Sequence, residues 1–252
     1  MLARPLGRTG MNVSPVGFGG VKLGRNQKTQ YGDFEIPSQR DAEELLFGIL
    51  DLGINLIDTA PAYGQSEERI GSILAKRRNE FILTTKVGER FEAGQSSYDF
   101  NAAAIRQSVQ ESLRRLRTEH LDVVLVHSHG QDDEILNQTD AIETLARLRD
   151  EGCIRAIGFS GKILEQEMRC LDWADVMMVT YHTNDTSHRP LLEQADRQGV
   201  GILIKKGLDS GRLAPEQAIP SVLTHPSVSS MVIGGIRLDH FSENCRLAAQ
   251  FG

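Results

Sequence analysis

Four side chains of this sequence could together hold a carbonyl oxygen and move a proton to it. The apolar run Ile54–Asp58 ends in aspartate, Phe81–Lys86 in lysine and Leu121–His127 in histidine, and Tyr63 follows Asp58 closely. Each has an ordinary explanation when taken alone: Asp58 as a helix cap, Tyr63 as a packed loop residue, Lys86 as a solvated cation, His127 as an interior histidine. As a group they form a chemical system. An ammonium held in a partly desolvated pocket favours the phenolate of a neighbouring tyrosine, drawing its pKa down from about 10. A lysine buried among strands needs a carboxylate partner, which Asp58 can supply. A neutral imidazole N–H can polarise a carbonyl beside the tyrosine hydroxyl, so that a developing alkoxide meets two donors. The group lacks a hydride source, which no side chain provides.

These residues converge only if a particular architecture places them. Short apolar runs at Pro15–Gly19, Ile54–Asp58, Phe81–Lys86, Leu121–His127, Ile154–Ser160, Asp175–Tyr181, Gly201–Lys206 and Ser229–Ile233 read as strands. Amphipathic segments at Arg40–Asp51, Glu67–Lys76, Asn101–Arg115, Gln138–Asp150, Lys162–Leu171, Arg189–Arg197, Pro215–Leu223 and Asp239–Gln250 read as the helices that follow them. Gly53, Gly152 and Gly199 stand where helices must stop. Eight strand–helix units without a linker predict an α/β protein, a (β/α)8 TIM barrel in one domain over residues 1–252. Such barrels carry their reagents at the carboxyl ends of strands. Arg4–Pro15 reads as a short N-terminal β-hairpin around Gly7 and Gly10 that caps the opposite end, and Tyr31-Gly32-Asp33 as part of a loop over the mouth. An open doubly wound sheet fits less well, because Gly17-Phe18-Gly19-Gly20 is not the G-x-G-x-x-G of a dinucleotide fold.

Composition narrows the functions further. A formal charge of −6 argues against a nucleic-acid partner, and Arg114, Arg115 and Arg117 suit the negative end of a helix. The three cysteines, Cys153, Cys170 and Cys245, show neither a disulfide framework nor zinc spacing. Without a membrane-length apolar stretch or a secretory leader, the reading is a cytoplasmic protein with no membrane partner. No metal site is expected, since His127, His129, His182 and His188 lack a third ligand and supporting partners.

The stretch Asp58-Thr59-Ala60-Pro61-Ala62-Tyr63-Gly64-Gln65-Ser66-Glu67-Glu68-Arg69-Ile70-Gly71 resembles the longest signature of the aldo-keto reductases. Thr84-Thr85-Lys86-Val87-Gly88 resembles that family's catalytic-lysine strand, and Gly158-Phe159-Ser160 and His225-Pro226-Ser227-Val228 extend the likeness over almost the whole chain. The resemblance implies an oxidoreductase that interconverts a small aldehyde or ketone and its alcohol. Tyr63 would be the general acid, Lys86 and Asp58 would tune it, and His127 would orient the substrate. It also implies a nicotinamide cofactor extended across the barrel mouth, NADP(H) in preference to NAD(H). Gly20 and Val21 would lie by the cofactor and Ser160 would touch its carboxamide. Lys206, Leu208 and Ser210 would border the pyrophosphate, and Arg237, His240, Glu243 and Asn244, after Gly234 and Gly235, would hold the adenosine end.

The chain departs from that pattern at several cofactor positions. Gly161 replaces an asparagine, Met178 a glutamine, Lys205 the aromatic residue that stacks on the nicotinamide, and His240 an arginine for the 2′-phosphate, leaving Arg237 as the candidate cation. Alternation along the strand predicts that Lys205 and Lys206 cannot both face inward. His182 is expected to line the pocket. The brief connection between Gly211 and the helix before His225 implies an open pocket, or one that a partner subunit completes. Two other functions compete: a redox-sensing or regulatory module that binds the cofactor with little turnover, and an isomerase or lyase using Lys86 as a Schiff-base amine. Asp58 opposes the second, because a partnered carboxylate keeps lysine protonated.

Overall fold

Successive side chains of a strand point to opposite faces, so an apolar run buried on both faces feeds two cores. That is how this chain packs. The computed structural model describes residues 1–29 and 33–251, so Tyr31 and Gly32 of the expected mouth loop lie outside the described residues. The hairpin β1 (Arg4–Pro5) and β2 (Asn12–Val13) is followed by β3 (Val16–Gly19), α1 (Gln39–Asp51), β4 (Leu56–Asp58), α2 (Ser66–Leu74) and β5 (Ile82–Val87). A second hairpin, β6 (Glu89–Glu92) and β7 (Gln95–Tyr98), precedes α3 (Ala102–Leu116), β8 (Leu121–His127), α4 (Asp132–Gln138), α5 (Ala141–Asp150), β9 (Ile154–Ser160) and α6 (Leu164–Cys170). The remainder is β10 (Val176–Thr180), α7 (Arg189–Gln198), β11 (Gly201–Lys205), α8 (Pro215–Leu223), β12 (Val228–Gly234) and α9 (Leu238–Ala248).

Strands β3, β4, β5, β8, β9, β10, β11 and β12 close into a parallel barrel, β12 returning to β3 with Gly234 opposite Gly19. Ile57, Val124, Ile157, Met177 and Ile204 face the helices, while Leu56, Val123, Leu125, Ala156, Val176, Met178 and Leu203 fill the interior. Leu6, Met11 and Val13 of the N-terminal hairpin join that interior core, plugging the end where β11 begins. A Cβ on Gly7 would stand 2.3 Å from the Gly201 nitrogen, which shows how closely the hairpin is seated. The barrel and its capping hairpin match the sequence expectation. Gly53, Gly152 and Gly199 have φ of 80°, 82° and 69°, the left-handed conformation in which helices end on glycine.

Two features differ from the sequence reading. The single helix expected over Gln138–Asp150 is broken, because Thr139 is extended (φ −129°, ψ 164°) and its hydroxyl donates to the Ile135 carbonyl at 2.7 Å. The residues before it form α4. The β6–β7 hairpin was not expected: its strands are largely polar, so alternation gives no apolar signal, although Ala93 and Gly94 both turn with positive φ (49° and 77°).

Gly71, in the longest signature, lets α2 rest on the end of α3: a Cβ there would lie 2.1 Å from the Arg115 carbonyl oxygen. We expect Gly71→Ala to destabilise the protein by about 1–3 kcal/mol through overpacking, measured by urea unfolding. A neutral result would mean that the two helices separate freely. Arg115 itself donates to Glu67 at 2.8 Å, and Thr85 donates to the other Glu67 oxygen at 2.6 Å. Arg115 thus ties α3 to α2 and, through Glu67, to β5.

Candidate active site

The alternation that builds the interior core also aims its reagents. Val123 and Leu125 face inward on β8, so His127 faces inward at its carboxyl end; the same parity carries Leu56 to Asp58, Thr84 to Lys86, Ala156 to Ser160 and Leu203 to Lys205. Parallel strands end on one side, so these residues meet in a cavity of about 430 Å³ at the barrel mouth. Tyr63 enters the cavity from the 3₁₀ turn Pro61–Tyr63 that follows β4.

The four sequence-predicted reagents are brought together. The Lys86 Nζ donates to Asp58 Oδ1 at 2.6 Å and to the Thr59 carbonyl at 2.9 Å, and lies 4.8 Å from the centroid of the Tyr63 ring. Lys86 is 1% and Asp58 3% exposed, so the pair is shielded from water. Burial raises the Asp58 pKa, against the lowering effect of Lys86. The His127 ring stands edge-on to Tyr63, 6.2 Å between centroids. Burial also lowers the His127 pKa below its ordinary 6.5, against the pull of Glu89, so that the imidazole is neutral at pH 7. This arrangement can present a tyrosine hydroxyl and an imidazole to one oxygen atom, with a fixed cation behind the tyrosine.

Glu89 is a site residue that sequence reasoning missed. It opens β6, and its Oε2 lies 2.9 Å from His127 Nδ1, off the line of a straight N–H donation. Ser96 donates to its other oxygen at 2.6 Å, and Arg25 approaches within 3.4 Å. Burial would raise this carboxyl, but His127, Ser96 and Arg25 outweigh it and hold the pKa at about 2. Its only sequence signal was position, two residues after the Lys86-Val87 strand end. Because the folded pKa lies below the ordinary 4.5, the contact stabilises the protein above that pH and ceases to as pH falls through about 2. Discounted for solvent screening and for a neutral His127 at that pH, Glu89→Gln should therefore cost about 1–2 kcal/mol at neutral pH, the gap from wild type narrowing on acidification. Denaturant unfolding as a function of pH checks this, and a pH-independent gap would assign the loss to packing alone.

Residues expected around a cofactor divide into two groups. Val21, Ser160, Gly161, Met178, Lys205, Lys206 and Gly234 line the cavity; Leu208, Ser210 and Gly234 line a small groove that adjoins it through Lys206 and Val232. Gly20 is buried instead against Ser66, and Gly19 takes its place on the wall. Gly235 packs over the Phe241 ring, and Asn244 is buried. Arg237 turns back onto Asp239, Glu243 pairs with Arg246 at 2.5 Å, and His240 is exposed. None of these five expected residues lines the cavity or the groove.

The expectation that only one of Lys205 and Lys206 faces the cavity is corrected. β11 ends at Lys205, and Lys206 has a φ of 56°, so alternation stops there and both border the cavity. His182 is buried outside the cavity wall, with Asp209 at 3.9 Å, whereas His188 reaches the wall and holds Glu167 at 2.6 Å. His129 packs edge-on against Tyr98 and Phe100, away from His127. Gly161 has a steric reason: a Cβ would meet the Phe159 ring at 2.6 Å, Glu167 at 2.7 Å and Asp132 at 2.8 Å. Asp132 fills that space because it accepts from the Lys162 and Ile163 amides at 2.8 and 3.0 Å and from the Ser128 hydroxyl.

Comparison with known proteins agrees with this barrel and its signature. Residues 15–225 match the model of the aldo/keto reductase family. L-galactose dehydrogenase of Arabidopsis thaliana is 34% identical over 238 residues, covering 89% of this chain and 70% of its own. A crystal structure from Pseudomonas aeruginosa assigned to the aldo-keto reductases is 45% identical with a TM-score of 0.91, covering 98% of this chain and 94% of that one. The holo form of an aldo-keto reductase from Bacillus halodurans is 27% identical with a TM-score of 0.86, covering 98% and 90%. Among the described residues no helix is long and apolar enough to cross a membrane. A closed eight-stranded barrel, a signature folded around its mouth and a family match over most of the sequence lead to one assignment: this chain belongs to the aldo/keto reductase family of oxidoreductases.

Proposed function

We propose that the protein interconverts an aldehyde or ketone and the corresponding alcohol with NAD(P)H as partner, Tyr63 serving as general acid in reduction and general base in oxidation. The observation that carries this reading is Lys86, fixed by Asp58 and Thr59 with its charge 4.8 Å from the Tyr63 ring centroid. That cation favours negative charge on the Tyr63 oxygen, easing proton release to a substrate alkoxide. His127, neutral at pH 7, orients the carbonyl oxygen beside the tyrosine. Asp58 and the Thr59 carbonyl occupy the Lys86 Nζ as hydrogen-bond acceptors, so the lysine acts as a fixed donor and not as a nucleophile.

The residues present fit a dinucleotide along the mouth. The cavity runs into the groove formed by Lys22, Gly207, Leu208, Ser210, Gly211 and Gly234, and nothing crowds the Gly234 position within 3.8 Å of where a Cβ would stand. Lys22, Lys206 and the 3₁₀ turn Asp209–Gly211 would hold the diphosphate, and Ser160 the carboxamide. When bound, the nicotinamide supplies or accepts the hydride. NADP(H) is the preferred form in this reading: Arg237 is exposed, and its pair with Asp239 is screened by solvent and can exchange for a 2′-phosphate. The relative named for L-galactose supports a small, sugar-like substrate.

Titration with NADPH and NADH tests the cofactor, following the fluorescence of Trp173, which packs edge-on against Phe159 beside Ser160. NADPH should bind at least about tenfold tighter than NADH, and Arg237→Ala should remove the difference while leaving NADH affinity alone. Equal affinities would overturn the preference. No binding of either would overturn the redox reading.

A further inference from the structure

Lys205 takes no part in the proton transfer just described, yet it projects into the same cavity. Its Nζ donates to Ser160 Oγ at 3.0 Å and to the Gly161 carbonyl at 2.7 Å, both neutral acceptors. Among the described residues no carboxylate stands within ion-pairing distance of it. Glu167 on α6 exerts a favourable field from further back but is already bound to His188. Asp58, on β4, is committed to Lys86. The other neighbours repel: Lys206 beside it, Lys86 on β5 and Lys162 after β9. Burial, reinforced by these cations, brings the Lys205 pKa down to about 8. A desolvated ammonium without an anion is costly. Lys86 has a paired counter-charge in Asp58; among the described residues Lys205 has no such pair.

We propose that Lys205, with the neighbouring Lys162, forms a subsite for an anionic group, carboxylate or phosphate, carried by the same substrate molecule whose carbonyl meets Tyr63 and His127. The inference rests on the reductase reading and names its substrate class. Lys206 also borders the groove in which a diphosphate would lie, whereas Lys205 borders only the cavity that holds Tyr63 and His127. The inner lysine is therefore the one assigned to substrate. An anion there replaces the missing counter-charge, and it does so beside the reacting centre, where it fixes the direction from which the carbonyl enters.

Two matched pairs of aldehydes test this: succinic semialdehyde against butanal, and glyceraldehyde 3-phosphate against glyceraldehyde. In the wild type the charged member of at least one pair should have the higher kcat/KM by about tenfold, the effect of one charge-assisted hydrogen bond. A preference confined to one pair identifies the anion as carboxylate or phosphate. Lys205→Met should bring that ratio near one, and Lys205→Arg, which keeps the charge, should retain most of it. As a readout independent of turnover, succinate and inorganic phosphate are titrated against Trp173 fluorescence. The favoured anion should bind wild type saturably, weaken as pH rises through about 8, where Lys205 loses its proton, and fail to bind the methionine variant. Equal turnover of charged and neutral aldehydes with no anion binding overturns the subsite and leaves the reductase reading standing. Absence of turnover and of cofactor binding overturns the reductase reading, and with it the assignment of the anion to a carbonyl substrate.

Discussion

We expect Tyr63→Phe to lower kcat for carbonyl reduction by about 10²- to 10⁴-fold, the range contributed by a positioned general acid. The substitution deletes one oxygen and keeps the ring, so the approach of Lys86 and the edge contact with His127 survive. KM and cofactor affinity should change by no more than about twofold, because the loss falls on the transition state. Stability should stay within about 0.5 kcal/mol of wild type, as Tyr63 sits in a partly exposed turn. Steady-state kinetics beside a nicotinamide titration separates these quantities. Turnover retained within tenfold of wild type would remove Tyr63 from the chemistry, whatever the barrel's ancestry.

Lys86→Met is expected to affect both fold and reaction. Asp58 and Lys86 are nearly without solvent contact, so removing the cation leaves a carboxylate buried alone. Breaking a buried pair costs about 3–5 kcal/mol, a fall in Tm of about 10 °C for a protein of this size. Burial already raises the Asp58 pKa and only Lys86 and Lys205 oppose it. In the variant the carboxyl therefore takes up a proton on folding. A carboxyl whose folded pKa is raised costs nothing below its unfolded pKa and progressively more above it. The deficit should thus shrink when unfolding is measured below the ordinary carboxylate range.

Adding Asp58→Asn to Lys86→Met separates the two roles. The double variant should recover part of the lost stability, because no uncompensated charge is buried, but turnover should remain at least about 10²-fold down, since the Lys86 charge no longer favours the Tyr63 phenolate. Thermal melts and kinetics on the same samples read both. Recovered activity in the double variant would show that Lys86 serves the structure and not the proton transfer.

The order of elements was legible because each strand and helix advertises itself locally. Leu121–His127 and Ile154–Ser160 carry apolar residues on both faces, and both strands lie where that pattern put them. Asp58, Lys86 and His127 were readable as reagents because each ends such a run, and a parallel barrel turns the ends of runs into one place. Glu89 was not readable in this way. It lies in a polar hairpin whose pairing depends on a turn at Ala93 and Gly94, and its neighbour His127 is far away in sequence. Gly161 was visible as a departure, but the cause, Asp132 and Glu167 closing over the same space, comes from α4 and α6.

By itself, then, the sequence determined the eight-fold alternation of strand and helix and the parity that turns Asp58, Lys86 and His127 inward, because hydrophobic period and strand alternation are local properties of the chain. Tertiary structure decided the electrostatics. Lys86 has a carboxylate at 2.6 Å, and among the described residues Lys205 has none within ion-pairing distance, although both are lysines at strand ends. Which charge is matched depends on distances across the barrel, and Coulomb energies and desolvation follow those distances and the surrounding burial, not the order of residues.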